Sequence, residues 1–385
     1  MQQIMIGGIL AFAVTFFSIP VIIKVANAKK LYDEPDDARK IHTKPIPSLG
    51  GLGIFVGFAL CLLLTLPFTA TVPEFQYYIA SFMIMFFVGI KDDILGLSPM
   101  KKFICQLVVA TILMVKGGLL ITNMHGFLGL ETISPVFSYI LTLFTIVVTV
   151  NAFNLIDGVD GLAGGIGLVT SLIFGIFFYV NDNLPYALLG IGFAASVLAF
   201  LYYNFHPAKI FMGDTGSLLM GLVNSILVIK FIESGTAVKY YPLSASPAVG
   251  FAIVLLPLMD TLRVFAIRIL NRRSPFSPDR NHIHHLLLDR GLNHKSVALT
   301  CVAVNGVFIA AGFLLQPIGT TFLILGLAMF FFAGIYFLYL TKPRATAALR
   351  VIKKAEVEES EMAEPAGKRI RLVSLFNRAV AVDED

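Results

Sequence analysis

The sequence predicts an all-α polytopic integral membrane protein of about eleven transmembrane helices, with its N-terminus outside and its C-terminus cytoplasmic. Three observations predict it. Apolar runs of about twenty residues recur along the chain, each long enough to cross the hydrocarbon core of a bilayer. Of the 385 residues, 57% are hydrophobic and only 14% charged, whereas a soluble domain carries about a quarter charged. The runs are continuous and do not alternate, which argues against a β-barrel.

Taken in order, the first run is Ile4 to Ile23. No basic residue precedes it and several follow it, the pattern of a first span entering from outside and not of a cleaved signal. The expected spans lie near 4–24, 49–67, 76–91, 103–122, 134–152, 162–180, 184–203, 215–232, 247–267, 297–315 and 319–340. With the N-terminus outside, all but Lys116, Lys230, Lys239 and Arg263 of the 29 Lys and Arg fall in cytoplasmic segments, as the positive-inside rule requires. Arg272 and Arg273 read as topology determinants at a span end. The last segment, 342–385, mixes Lys, Arg and Glu and reads as a charged cytoplasmic tail. The expected division is therefore a membrane domain, 1–341, and a tail, 342–385.

Cys61, Cys105 and Cys301 sit singly in apolar stretches and read as small core residues. The unusual polar clusters gather on the cytoplasmic side. A pore needs polar groups through the full depth of the bilayer, and a transporter built from inverted repeats places its site near the midplane. Neither pattern is present, and nothing points to nucleic acid.

The central interruption, Asn151-Ala-Phe-Asn154-Leu-Ile-Asp157-Gly158-Val-Asp160-Gly161-Leu-Ala-Gly164-Gly165, lies between two apolar runs. Ionisable groups at a bilayer boundary are costly and mark a functional site. Further acids stand at Asp92-Asp93 and Asp214. Carboxylates without thiolates suit a hard cation such as Mg²⁺, with Mn²⁺ as its substitute. Two like charges as close as Asp92 and Asp93 repel unless a cation or proton intervenes.

Basic groups complement the acids. Arg39, Lys40 and His42 precede Pro47-Ser-Leu-Gly50-Gly51, and Arg280 accompanies His282, His284 and His285. Such cationic groups beside a metal are what a diphosphate substrate requires. Asp260 and Arg263, three apart, read as a structural ion pair. Between Asn204 and Ser217, glycines bracket Asp214 just before a helix, where backbone N–H groups can face a phosphate. Phe211 in that stretch can stack on a flat base.

These stretches resemble the polyprenyl-phosphate N-acetylhexosamine-1-phosphate transferase family. The resemblance covers about residues 1–340. It rests on Asn151 to Leu162, Phe211-Met-Gly-Asp214-Thr-Gly-Ser217, Ser277-Pro-Asp279-Arg280-Asn-His282-Ile-His284-His285, Pro47 to Gly51 and Asp92-Asp93. His282-Ile-His284-His285 is similar to the branch that uses UDP-GlcNAc. Gly96 departs from the family, which often has an acid or amide there. The resemblance implies transfer of GlcNAc-1-phosphate from UDP-GlcNAc to undecaprenyl phosphate, releasing UMP. It also implies Asp214 as the leading Mg²⁺ ligand, Asp157 and Asp160 near metal and nucleotide, Asn154 at the substrate, and Asn204 and Phe211 on the uridine. Asp92 or Asp93 would orient or deprotonate the acceptor phosphate, and the histidines would handle the sugar phosphate. The implied setting is the bacterial inner membrane and its lipid, with a homodimer as the assembly to test. The runner-up is the same chemistry on UDP-MurNAc-pentapeptide; from another class, a lipid-linked sugar transporter.

Overall fold

The computed structural model describes residues 1–31, 46–66, 72–274 and 280–341. The expected tail, and with it Arg39, Lys40 and His42, falls outside the described residues. The chain divides into two units, Met1–Ile335 and Tyr336–Asp385.

The first unit is helical apart from one hairpin. Its helices begin with α1 (Gln2–Lys29), α2 (Gly50–Thr65), α3 (Glu74–Leu95) and α4 (Pro99–Val115). The antiparallel strands β1 (Asn123–Phe127) and β2 (Leu130–Thr132) follow, then α5 (Pro135–Leu155), α6 (Leu162–Val180) and α7 (Leu184–Asn204). The chain continues through α8 (Gly213–Ser234), α9 (Ser246–Ile253), α10 (Leu255–Leu270), α11 (Ile283–Leu288), α12 (His294–Leu314) and α13 (Thr320–Leu340). Local sequence sets several ends. Pro99 and Pro135 open α4 and α5, where a missing N–H costs nothing. The Asn293 side chain caps α12 by accepting from Ser296 N at 2.9 Å.

Seven of these helices are long and apolar enough to cross a membrane, or eight if one bent pair counts as a span. The protein is thus an all-α, multi-pass membrane protein, with fewer such helices than the eleven runs suggest. The difference has physical causes. Helix α2 has 16 residues, about 24 Å of rise against about 30 Å of hydrocarbon. Helix α3 carries Lys91, Asp92 and Asp93 near its end, and α4 carries Lys101 and Lys102 near its start. The run expected as one span at 247–267 is α9 and α10, bent by 78°. Pro257 accounts for the break, because it can neither donate to nor pack against the carbonyl four residues earlier, at Ile253.

Helix α8 is the hub, with 89% of its apolar window buried, and it packs on α2, α3, α5, α6, α7 and α9. Polar groups this deep need partners. Asn224, fully buried, donates to Met220 O at 2.9 Å and meets Ser171 Oγ at 3.3 Å. In a bilayer, helices gain little from expelling water, so close backbone approach between small residues holds them together. At the α3–α8 crossing, a Cβ on Gly89 would collide with the Thr215 backbone. That contact brings the acidic end of α3 against the start of α8.

Candidate active site

The ionisable groups gather where α3, α5 and α7 end and α4, α6 and α8 begin. The segment after residue 46 positions them. Gly50 N donates to Phe211 O at 2.9 Å, Gly51 N to Met212 O at 2.8 Å, and Phe211 N to Pro47 O at 2.8 Å. This backbone ladder fixes the approach to α8. Gly213 then turns with φ +70°, and a Cβ there would strike Ser48 O and both carboxylate oxygens of Asp93. Only glycine meets both demands.

At the centre is Lys102. Its Nζ lies 2.6 Å from Asp92 Oδ2 and 2.6 Å from Asp214 Oδ2, so one ammonium bridges two carboxylates. Asp214 Oδ1 accepts from Asn154 Nδ2 at 3.0 Å, and that amide also donates to Ser217 Oγ at 2.9 Å. Asp92 Oδ1 accepts from Leu97 N at 2.6 Å.

Its neighbour Asp93 has a different task. Its oxygens accept from Asp214 N at 2.7 Å, Thr215 N at 3.0 Å and Thr215 Oγ1 at 2.5 Å. Asp93 thereby caps the N-terminus of α8 from another helix, where the macrodipole favours an anion. Of the adjacent pair, Asp92 is the one that faces Lys102.

The central loop carries two aspartates in unlike surroundings. Asp157 keeps part of its surface open, but crowding by protein removes it from water, and Asp214, Asp93 and Asp160 add negative charge nearby. Its pKa is pushed up to about 7. Burial acts to raise Asp160 too, but hydrogen bonds from His294, His206 and the Ala208 amide prevail and hold its carboxyl well below the usual range. Its partners are His206 Nδ1 at 2.8 Å, His294 Nδ1 at 3.2 Å and Ala208 N at 3.2 Å.

Asn204 is buried and staples two loops, accepting from Gly161 N at 2.9 Å and donating to Ile210 O at 2.9 Å. Both ends of its amide are used within the protein. Phe211 is half-buried beside the residues that lead into Asp214.

The histidine segment is anchored by Asp260. Its Oδ2 lies 2.8 Å from His282 Nδ1, its Oδ1 accepts from Ile283 N at 3.1 Å, and Arg263 Nη2 donates to Oδ1 at 2.7 Å. The expected pair of Asp260 with Arg263 is present; the guanidinium also reaches the Asn281 carbonyl. The ring of His284 lies parallel to that of His282, at 5.7 Å and 4°, and 4.3 Å from that of His285. Burial first, then its histidine neighbours, push the pKa of His284 down to about 3, so it is neutral at physiological pH. A Cβ on Gly158 would come within 2.6 Å of His284 Nε2. The missing side chain is what lets the histidine segment meet the central loop. Arg280 is exposed, 3.5 Å from Asp289, a pair of little energetic weight.

Replacing Asp260 by asparagine is expected to destabilise the fold by about 3–5 kcal/mol, since Arg263 and His282 would lose a buried counter-charge. Thermal unfolding in detergent measures this, and an unchanged midpoint would remove Asp260 as the anchor.

Sequence reasoning passed over Lys102, His206 and His294, and saw Asp260 only as a partner of Arg263. A signal existed for Lys102. Lysines at the start of a helix oppose the macrodipole unless an anion holds them, and Lys101 and Lys102 sit there.

The charge balance of the cluster fits a hard divalent cation. Asp92, Asp157 and Asp214 offer oxygen donors, Lys102 already occupies a cationic position between two of them, and burial first, then three neighbouring carboxylates, raise the pKa of Asp157.

Fold and site together define a multi-pass membrane enzyme whose ionisable groups gather where its helices end. Comparison with known proteins makes the class specific. Residues 75–232 match the profile described as Glycosyl transferase family 4. The chain is 31% identical over 336 residues to an undecaprenyl-phosphate alpha-N-acetylglucosaminyl 1-phosphate transferase of Yersinia pestis, covering 86% of this chain and 89% of that one. It is 33% identical to a probable undecaprenyl-phosphate N-acetylglucosaminyl 1-phosphate transferase of Bacillus subtilis, over 82% and 87% of the two chains. A decaprenyl-phosphate N-acetylglucosaminephosphotransferase of Mycolicibacterium smegmatis is 32% identical over 86% of each. The protein belongs to glycosyl transferase family 4.

Proposed function

We propose that the protein transfers GlcNAc-1-phosphate from UDP-GlcNAc to undecaprenyl phosphate, yielding undecaprenyl-diphosphate-GlcNAc and UMP. The observation that carries this reading is the Lys102 bridge between Asp92 and Asp214, where the end of α3 and the start of α4 meet the start of the membrane helix α8. The activities for which the Yersinia pestis and Bacillus subtilis relatives are named support the same acceptor and sugar.

In the reaction, an oxygen of the acceptor phosphate attacks the phosphorus that bears the sugar. A new P–O–P linkage forms as the bond to the bridging oxygen breaks, and UMP leaves. The acceptor phosphate has its second pKa near 6, so it is largely dianionic at neutral pH and needs no strong base. The difficulty is repulsion between anions. Lys102 supplies positive charge where the phosphates meet, and Asp92 orients that ammonium. Asp93 holds the start of α8, and so Asp214, in place. Neutral His284, packed on Gly158, can donate or accept a hydrogen bond at the sugar phosphate without adding charge. Mg²⁺, held by Asp214 and Asp157, would neutralise the diphosphate as a Lewis acid.

This site would face the cytoplasm at the bacterial inner membrane: UDP-sugars are made in the cytoplasm, and the positive-inside rule assigns the basic segments to that side. A UMP-release assay on purified protein with undecaprenyl phosphate and a panel of UDP-sugars tests the function. Release with UDP-GlcNAc supports it; release with UDP-MurNAc-pentapeptide alone, or with no donor, overturns it. Phe211→Ala is expected to raise the donor KM by about 5- to 150-fold, equivalent to about 1–3 kcal/mol of lost base stacking. An unchanged KM would place the uracil elsewhere.

A further inference from the structure

A second cluster of ligating side chains lies apart from the Lys102 bridge. Asp160 comes from the loop between α5 and α6, His206 from the segment after α7, and His294 from the start of α12. One ligand atom from each lies within 4.8 Å of the others. His206 Nδ1 is 2.8 Å from Asp160 Oδ2, and His294 Nδ1 is 3.2 Å from Asp160 Oδ1. The two imidazole centroids are 5.4 Å apart, tilted by 45°.

We propose that Asp160, His206 and His294 form a binding site for a divalent transition-metal ion of the zinc class, separate from the carboxylate cluster around Asp214.

Donor chemistry is the first support. Two imidazole nitrogens and one carboxylate oxygen suit zinc or cobalt, whereas magnesium takes oxygen ligands and keeps several waters. Spacing is the second. Ligands on a tetrahedral zinc, each about 2.0–2.1 Å from the ion, stand about 3.3 Å from one another. The two imidazole nitrogens lie 2.8 and 3.2 Å from different oxygens of Asp160, and one atom from each residue lies within 4.8 Å of the others. The side chains would therefore draw together around an ion without leaving their helices or loops. Outer support is the third, since the Ala208 amide donates to Asp160 Oδ2 and orients the carboxylate. Access is the fourth. Asp160 and His294 are walled in by protein, while the His206 side chain is 36% exposed and opens the cluster to an incoming ion.

On binding, the ion would take the place of the imidazole–carboxylate hydrogen bonds, each neutral imidazole offering a bare Nδ1 with its hydrogen on Nε2. The ion would tie the central loop to the start of α12 and so hold the Asp157–Asp160 turn rigid. This role is separate from the chemistry at Lys102 and does not depend on the identity of the sugar donor.

The test uses tag-free, full-length protein in detergent, carrying Cys105→Ser so that this thiol contributes nothing. The protein is stripped with chelator and titrated with Zn²⁺ or Co²⁺ in excess Mg²⁺. The expected result is about one zinc retained per chain by elemental analysis, with visible Co²⁺ absorption of a low-symmetry, four- or five-coordinate site. His206→Asn and His294→Asn should each weaken binding by at least about tenfold, the least that loss of even an outer-shell partner costs. Asp214→Asn should leave it intact. Zinc should also raise the unfolding temperature of the parent protein and not that of His206→Asn. Because His206 is exposed, its variant is expected to fold, and a monodisperse elution profile checks this. No retained zinc, or equal retention in both histidine variants, would overturn the proposal and leave a hydrogen-bonded staple.

Discussion

Lys102→Ala is expected to lower kcat/KM by about 10²- to 10³-fold, the scale seen when one preorganised electrostatic donor is removed from a reacting centre. Two effects combine. Asp92 and Asp214 would face each other with no cation between them, so each would resist the negative charge of the other. The incoming phosphates would also lose the ammonium that offsets their repulsion. Arginine should restore little of the rate. Its planar fork is built for bidentate contact with one anion, while the site asks for a single compact charge 2.6 Å from two carboxylates. Transfer of labelled GlcNAc-phosphate into undecaprenyl lipid, with membrane insertion followed in parallel, measures the effect. An alanine variant working at the parent rate would remove Lys102 from the chemistry.

The second large effect concerns pH. Asp157, with its pKa pushed up to about 7, is half protonated near neutrality in the metal-free protein. A carboxyl must lose its proton before it can ligate a cation. Below pH 7 the proton and Mg²⁺ therefore compete for the same oxygen, and the apparent Mg²⁺ affinity should fall by about tenfold for each pH unit of acidification. Above pH 7 the carboxylate is free of its proton and the affinity should level off. Between pH 5 and 7 the change amounts to about a hundredfold. Asp157→Asn removes the proton that competes near pH 7, so its weaker Mg²⁺ dependence should be shallower than that of the parent. The remaining slope below pH 6 is left to Asp92, whose carboxyl is pushed up to about 6 by burial and by Asp214. Measuring the Mg²⁺ concentration for half-maximal activity from pH 5.5 to 8 decides the matter. A parent profile as shallow as that of the variant would exclude Asp157 as a ligand.

Much of this protein was legible residue by residue. The membrane class followed from apolar runs such as Ile166 to Val180, because lipid tolerates only backbones that satisfy their own hydrogen bonds. Asp157 and Asp214 stood out because an ionisable group near hydrocarbon is expensive. Other features resisted the same reading. Asp92 and Asp93 are chemically identical neighbours, yet one meets Lys102 and the other caps α8. Successive helical side chains point about 100° apart, and which direction finds the site depends on how α3 crosses α8. That the Asn204 amide also ties Gly161 to Ile210 could not be read from its place in the sequence. His206 and His294 are 88 positions apart in the chain and carry no shared pattern.

The order of amino acids alone determined that this chain lives in a membrane, that its acids and histidines gather at helix ends, and which family motifs it carries. Those properties are local: hydropathy and spacing are sums over neighbouring residues. Tertiary structure decided that Lys102 bridges Asp92 and Asp214, that Asp260 anchors the histidine segment, and that Asp160 turns toward two histidines. Each is a contact between distant segments whose sign and strength depend on a separation of a few ångströms, which only the packing of the helices sets.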